Sequence, residues 1–90
     1  MARITVTDRG GDRYRVEVDE GGSRSEHDVE APPEEVARYG GGAGAEALIE
    51  ASFAFLLERE PKEAILRSFR LSVIERYFPD YPAEIARRLG

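Results

Sequence analysis

One stretch of the chain, residues 45–60 (AEALIEASFAFLLERE), restricts the possible folds more than any other. Its apolar side chains recur at the spacing of an α-helix, and on a helical wheel they cover about half of the circumference or more. A helix on the surface of a domain needs an apolar stripe only about 100° wide. We therefore predict a central helix that packs against a sheet on one side and further helices on the other. Its solvent-exposed strip is limited to Glu46, Glu50, Ala54 and Glu58.

The first third of the chain predicts a sheet. Residues 1–31 alternate between apolar and polar side chains, which is typical of antiparallel strands with one solvent-exposed face. A two-residue Gly21-Gly22 turn between the second and third strands sets Val16 opposite His27 on the apolar face. The same register places three opposite-charge pairs on the exposed face, which are Asp19–Arg24, Arg15–Asp28 and Arg13–Glu30.

The turn between the first two strands is predicted to contain three residues, 10–12. A two-residue turn would set Val6 opposite Arg15 and so break the apolar face. The longer turn restores the apolar pairs, sets Arg9 opposite Arg13 and is expected to contain a bulge. The first strand has little to protect its outer edge, so pairing of two copies through this edge would give a homodimer.

The remainder of the chain predicts helices and one hinge. We expect a short helix at 33–39, a glycine-rich hinge at 40–44, the central helix at 45–60 and short helices within 61–89. The fold class is therefore α+β, a single domain over 1–90. A three-stranded antiparallel meander is followed by a helical C-terminal half packed on one face of the sheet.

Residues 62–78 allow two interpretations. A capping-box pattern, Ser72 to Glu75, favours a helix that ends near residue 70 and a second one that begins at 72. The alternative is one helix over 62–77, because apolar residues recur every four positions from Ile65 to Tyr77. The interpretation with two helices turns Leu66 and Phe69 toward the interior. The interpretation with one helix turns Phe69 toward the interior.

Residues 53–81 carry paired leucines, Arg-Glu-Pro, Ile-Leu and Tyr-Phe-Pro within FAFLLEREPKEAILRSFRLSVIERYFPDY. This segment, about a third of the chain, resembles a group of short bacterial proteins of similar length. They share the pattern F-x-F-L-L-E-R-E-P, I-L-x-x-F and Y-F-P-x-Y. The group has no known function, so the resemblance implies no activity, cofactor or catalytic residue.

The side chains that carry most enzymatic chemistry are scarce. The chain has no cysteine, which excludes thiolate catalysis and Cys-type zinc sites. His27 is the only histidine, and the predicted register places it on the core side. Glu58 and Glu60 flank Arg59. We expect their carboxylates to pair with arginine or to be solvated by water rather than to act in acid–base catalysis. We predict no catalytic, cofactor-binding or metal-binding residue, and a protein that is not an enzyme.

The candidate contact residues lie near the C-terminus. Tyrosine and arginine are enriched at interface hot spots, and the segment combines aromatic and basic side chains at Arg70, Arg76, Tyr77, Phe78 and Tyr81. These residues predict a small protein-interaction module with an unidentified protein partner.

The alternative function is a nucleic-acid-binding regulator with a degenerate helix-turn-helix over 62–78. Its second helix is a poor reader of bases, and the chain has a net charge of −5, so nucleic acid is the less favoured partner. No run approaches 18 apolar residues and the N-terminus has no apolar leader, which predicts a cytoplasmic protein without a membrane span.

Overall fold

The computed structural model describes residues 2–90 and has an α+β fold, as the sequence predicts. The strands are β1 (Arg3–Gly10), β2 (Arg13–Glu20), β3 (Ser23–Glu30) and β4 (Ser68–Arg70). The helices are α1 (Pro33–Gly40), α2 (Ala45–Leu57), α3 (Val73–Tyr77) and α4 (Tyr81–Leu89), with a 3₁₀ turn at Lys62–Ala64. The strand order is β1-β2-β3-β4, so β1 and β4 form the two edges of the sheet.

The register of β2 and β3 agrees with the predicted register at every pair, from Glu20 opposite Ser23 to Arg13 opposite Glu30. Gly21 and Gly22 adopt φ angles of 64° and 80°, the left-handed values that a tight hairpin turn requires. Salt bridges across the exposed face, such as Arg15 to Asp28 at 3.1 Å, support the register.

The turn between β1 and β2 differs from the prediction in one respect. Val6 pairs with Val16 as expected, but Gly10 rather than Arg9 lies opposite Arg13, so the predicted pairing of Arg9 is wrong. The predicted bulge is present between Asp8 and Gly10, and the turn itself contains two residues. The Asp8 carboxylate accepts a hydrogen bond from the Gly10 N–H at 2.8 Å, which stabilises this tighter geometry.

The central helix α2 is buried on two sides, as its sequence pattern predicts. Six of its residues are buried: Leu48, Ile49, Ser52, Phe53, Phe55 and Leu56. The predicted exposed strip holds for the three glutamates, whereas Ala54 is half-buried. The helix ends at Leu57 rather than at residue 60. A final turn follows it, in which the N–H groups of Arg59 and Glu60 both bond back to the Leu56 carbonyl.

The helix expected over residues 62–69 is absent. A single 3₁₀ turn leads instead into β4, which pairs in parallel with β3. The Asp28 N–H donates to the Arg67 carbonyl at 2.7 Å, and the Leu71 N–H donates to the Glu30 carbonyl at 3.0 Å. Backbone pairing with the open side of β3 therefore overrides local helix propensity over residues 62–70. The first predicted helix and the alternative of one helix over 62–77 are wrong, whereas the predicted break near residue 70 and the second helix from 72 are confirmed by α3.

Candidate protein-interaction surface

An apolar groove of about 270 Å³ opens between the end of α2, the segment before β4, and α3. Its floor consists of buried side chains, Leu56, Ile65 and Ile74, and its rim of the more exposed Leu66, Phe69, Tyr77 and Phe78. We call this feature the groove.

Two residues of the rim are large hydrophobic side chains with high solvent exposure. Leu66 is 47% exposed and Tyr77 is 66% exposed, and they are the large hydrophobic residues that the surface of residues 2–90 leaves exposed. Both line the same groove. Exposed apolar side chains that share a concave surface are typical of protein or ligand binding sites.

The exposure of Leu66 follows from the way the backbone is held. The Nδ1 atom of His27 lies 2.8 Å from the Leu66 carbonyl and fixes the chain just before β4. Since the neighbouring Ile65 is buried, the extended backbone directs the Leu66 side chain outward. On α3, Ile74 is buried while Tyr77, three residues on, reaches the surface at the end of the helix.

A contact network supports the groove from behind. The Arg59 guanidinium stacks over the Phe55 ring at 3.7 Å and pairs with the Asp80 carboxylate at 2.8 Å. Phe78 meets the Phe55 ring edge-on, with ring centroids 5.9 Å apart. These contacts join the end of α2 to the turn before α4, and they hold the Phe78 side of the groove in place.

A second anchor joins α2 to α4. Arg88 donates a hydrogen bond to the Glu58 carboxylate, and this bond lowers the pKa of Glu58. The pair lies outside the groove and is exposed, so it contributes to packing of the helices rather than to binding chemistry.

The candidate contact residues do not form one surface. Tyr77 and Phe78 line the groove. Tyr81 is 0% exposed, its hydroxyl lies 2.7 Å from the Ser52 Oγ, and burial raises its pKa. Tyr81 therefore belongs to the core, and its prediction as a contact residue is wrong.

The two candidate arginines also lie outside the groove. Arg70 pairs with Glu30 at 3.3 Å on the solvent-exposed face of the sheet, opposite the face on which Phe69 packs against Phe53. Arg76 is exposed on α3, and within residues 2–90 it has no ion pair.

Sequence reasoning missed Leu66 and Phe69 because it placed both on a helix and turned them inward. The available signal was the short alternation Ser68-Phe69-Arg70, which is polar, apolar, polar and therefore typical of a strand. Three residues are too few to outweigh the helical spacing that surrounds them.

The outer edge of β4 borders the groove. Since the N–H and C=O groups of Phe69 point toward β3 in the parallel ladder, those of Ser68 and Arg70 point away from the sheet. Phe69 also lines the groove, so a strand added beside β4 would direct alternate side chains into it.

His27 has a structural role in this arrangement. It is 2% exposed, and its Nε2 lies 2.8 Å from the Ser25 Oγ. A carbonyl can only accept, so Nδ1 carries a proton and donates to Leu66. Both ring nitrogens are therefore engaged. Across the described chain, 2–90, no group of three or more His, Cys, Asp or Glu residues could hold a metal ion.

No family model, curated protein or solved structure matches the chain. The resemblance of residues 53–81 to short bacterial proteins stays a prediction, as does the absence of enzymatic activity. None of the helices described in residues 2–90 has the length and apolar character needed to cross a membrane.

Proposed function

We propose that this protein is a non-enzymatic protein-interaction module, and that the groove binds an extended apolar segment of a partner protein. The observation that carries the proposal is the exposure of Leu66 and Tyr77 on one concave apolar surface. Burial of a large apolar side chain contributes about 1.5–3 kcal/mol, and a partner that covers both residues would gain part of this.

The neighbouring edge of β4 favours an extended partner over a helical one. Ser68 and Arg70 present N–H and C=O groups beside the groove that have no partner within residues 2–90, and a β-strand satisfies such groups whereas a helix does not. Because β4 has only three residues, few backbone bonds are available. Most of the affinity must therefore come from apolar side chains that enter the groove.

The charges beside the groove indicate which residues should flank the apolar ones. The charged residue of the lining itself is the half-buried Glu60, so the partner residue nearest to it should not be acidic. Outside the lining, Arg67 and Arg76 are exposed, adjoin Leu66 and Tyr77 in the chain, and form no ion pair with any residue in 2–90. We expect the partner segment to alternate apolar and polar residues and to carry Asp or Glu at its ends.

A displayed library of random peptides, selected on the whole protein, tests the proposal. Peptides with alternating apolar residues and acidic ends should be enriched. Their affinity should fall at least about tenfold, which is 1.4 kcal/mol, for the double variant Leu66→Ser/Tyr77→Ser. Arg87→Ser is the control, because Arg87 is exposed on α4 and is not part of the groove lining.

Two outcomes would overturn the proposal. One is a library from which no peptide distinguishes the wild-type protein from the double variant. The other is enrichment of amphipathic helical peptides whose affinity depends on Tyr77 alone. Both substituted residues are exposed, so urea unfolding should show a change in stability of less than about 1 kcal/mol and exclude misfolding as the explanation.

The alternative function has lost the element on which it was based, since residues 62–69 do not form the first helix of a helix-turn-helix. Binding of nucleic acid through exposed arginines stays a prediction. A cytoplasmic location in a bacterial cell is part of the proposal, and fractionation of cells that express the tagged chain would test it.

A further inference from the structure

The opposite edge of the sheet, on β1, is longer and less protected than β4. β1 has eight residues, without proline or lysine, and its only irregularity lies beyond Asp8. The hydrogen-bond pattern of the β1–β2 ladder follows from the Gly11-Asp12 turn. Thr5 and Thr7 point their backbone groups toward β2, whereas Ile4 and Val6 point theirs outward.

These outward groups have no hydrogen-bond partner in residues 2–90. The side chains of Ile4 and Val6 are only half-buried, on the face that carries the helices. An unpaired edge with apolar side chains on one face is a template for another strand.

We propose that two copies of this protein pair through β1, antiparallel, about a two-fold axis that passes through Thr5. In this register Ile4 lies opposite Val6 of the second copy, and Thr5 lies opposite Thr5 of the second copy. The inner pairs on the helix face, Ile4 with Val6, are then apolar and β-branched, and the pair on the axis joins two exposed threonines. The outer pairs on the helix face set Ala2 opposite the exposed Asp8.

The neighbouring registers are less favourable. A two-fold axis perpendicular to the sheet must pass through a residue, because opposed residues share a face. An axis through Val6 would set Arg3 against Arg9 and Ile4 against Asp8, which combines charge repulsion with an apolar–charged pair. An axis through Ile4 leaves the outward groups of Asp8 unpaired. The Thr5 axis pairs all outward groups from Ala2 to Asp8, for about eight backbone hydrogen bonds.

This arrangement goes beyond the proposed function because it does not use the groove. Pairing of the two β1 strands leaves neither of them as an edge. It forms one eight-stranded sheet whose outer strands are the two copies of β4. Each groove remains open at its own end of the sheet. A dimer of this kind would therefore be bivalent.

Disulfide trapping tests the register. Because the chain has no native cysteine, an introduced cysteine can form a disulfide only with its copy in a second chain. Facing residues that do not exchange hydrogen bonds have Cα atoms about 4.5 Å apart, within disulfide range. Thr5→Cys should therefore form a covalent dimer under mild oxidation. Thr7→Cys is the control, because its two copies would lie four residues apart along the strand, about 13 Å, and should not link.

Charge complementation gives an independent measurement by analytical ultracentrifugation. Thr5→Lys should weaken dimerisation about tenfold by placing two lysines together at the axis, while the new lysine faces Glu17 of its own chain and leaves the monomer folded. A mixture of Thr5→Lys with Thr5→Glu should recover dimers. A wild-type chain that stays monomeric at about 200 μM would overturn the proposal. Faster trapping of Thr7→Cys than of Thr5→Cys would overturn the register.

Discussion

The two edges of the sheet offer different kinds of contact. β1 is long and has a regular row of outward backbone groups without a partner in the described part of the chain, and its own half-buried apolar side chains are Ile4 and Val6. β4 has three residues and few backbone groups, but it borders an apolar groove with Leu66 and Tyr77 on its rim. Backbone pairing should therefore dominate at β1, and side-chain burial should dominate at β4.

This difference separates partners by chemistry. A strand that pairs with β1 must match its register and must place a small residue opposite Thr5. A second copy of the chain meets both conditions. A segment that binds at β4 must supply apolar side chains of suitable spacing. Because the two edges lie on opposite sides of the sheet, either contact can be removed while the other is kept.

The largest expected effect comes from a residue that supports the β4 edge from the core. The Phe53 ring lies 5.2 Å from the His27 ring and 6.0 Å from the Phe69 ring. Phe53→Ala should lower the free energy of unfolding by about 3–5 kcal/mol, because it leaves a cavity among buried side chains. Urea unfolding measures this effect.

Glu50→Ala, on the exposed strip of the same helix, is the control and should change stability by less than about 0.5 kcal/mol. If Phe53→Ala lowers the free energy of unfolding by less than about 1 kcal/mol, packing of the Phe53 ring is not what holds the β4 edge to α2.

A smaller substitution should loosen β4 and leave β1 in place. His27→Phe removes the hydrogen bonds to the Leu66 carbonyl and the Ser25 hydroxyl, at a cost of about 1–3 kcal/mol. Hydrogen exchange should accelerate at the amide of Asp28, which donates to the Arg67 carbonyl, and at the amide of Leu71, which donates to the Glu30 carbonyl of β3.

The amides of Thr5 and Thr7, which bond to β2, are the internal control for the same variant. Equal acceleration at both edges would mean that the sheet opens as one unit, and the two edges would then not be independent.

High pH should destabilise the core beneath α1 and α4 rather than either edge. Burial and the hydrogen bond that its hydroxyl donates to Glu75 raise the pKa of Tyr39 to about 12, and burial raises the pKa of Tyr81. Their ordinary value is 10.0, so the unfolded chain loses these protons first. Their stabilisation is complete below pH 10 and declines between pH 10 and 12.

Urea midpoints between pH 8 and 11.5 measure this decline, and Tyr39→Phe should reduce its slope because only Tyr81 then titrates in the core. An unchanged slope in that variant would remove Tyr39 from the explanation.

The smallest effect is expected at the ion pair between β3 and β4. Arg70 and Glu30 lie 3.3 Å apart, and the Arg70 side chain is 51% exposed. Solvent screens such a pair, so Arg70→Ala should cost less than about 1 kcal/mol in urea unfolding. Its effect should also shrink in 0.5 M NaCl. A larger loss would mean that charge, rather than backbone pairing and Phe69, holds β4 to the sheet.

The parts of the fold that the sequence predicts correctly depend on residues close together in the chain. The β2–β3 register follows from Gly21-Gly22 and from charges that face each other across that turn. The two-sided burial of α2 follows from the spacing within one continuous segment. In both cases a local pattern decides between few alternatives.

The parts that it does not predict depend on contacts between distant segments. Residues 62–70 have helical spacing, yet the open side of β3 and the His27 ring hold residues 65–70 in an extended conformation. Tyr77 and Tyr81 are both aromatic residues near the same turn, but one is exposed and the other is buried against Ser52. Only the assembled core distinguishes them, so sequence reasoning identified half of the groove rim and misplaced the rest.

The parallel pairing of β4 also has a consequence for synthesis of the chain. Forty residues separate the two members of the Glu30–Arg70 pair. A ribosome adds about 5–20 residues per second, so β3 exists for about 2–8 seconds before its partner strand has been made. During that interval the meander presents two open edges, on β1 and β3, and open strand edges are templates for pairing with another chain.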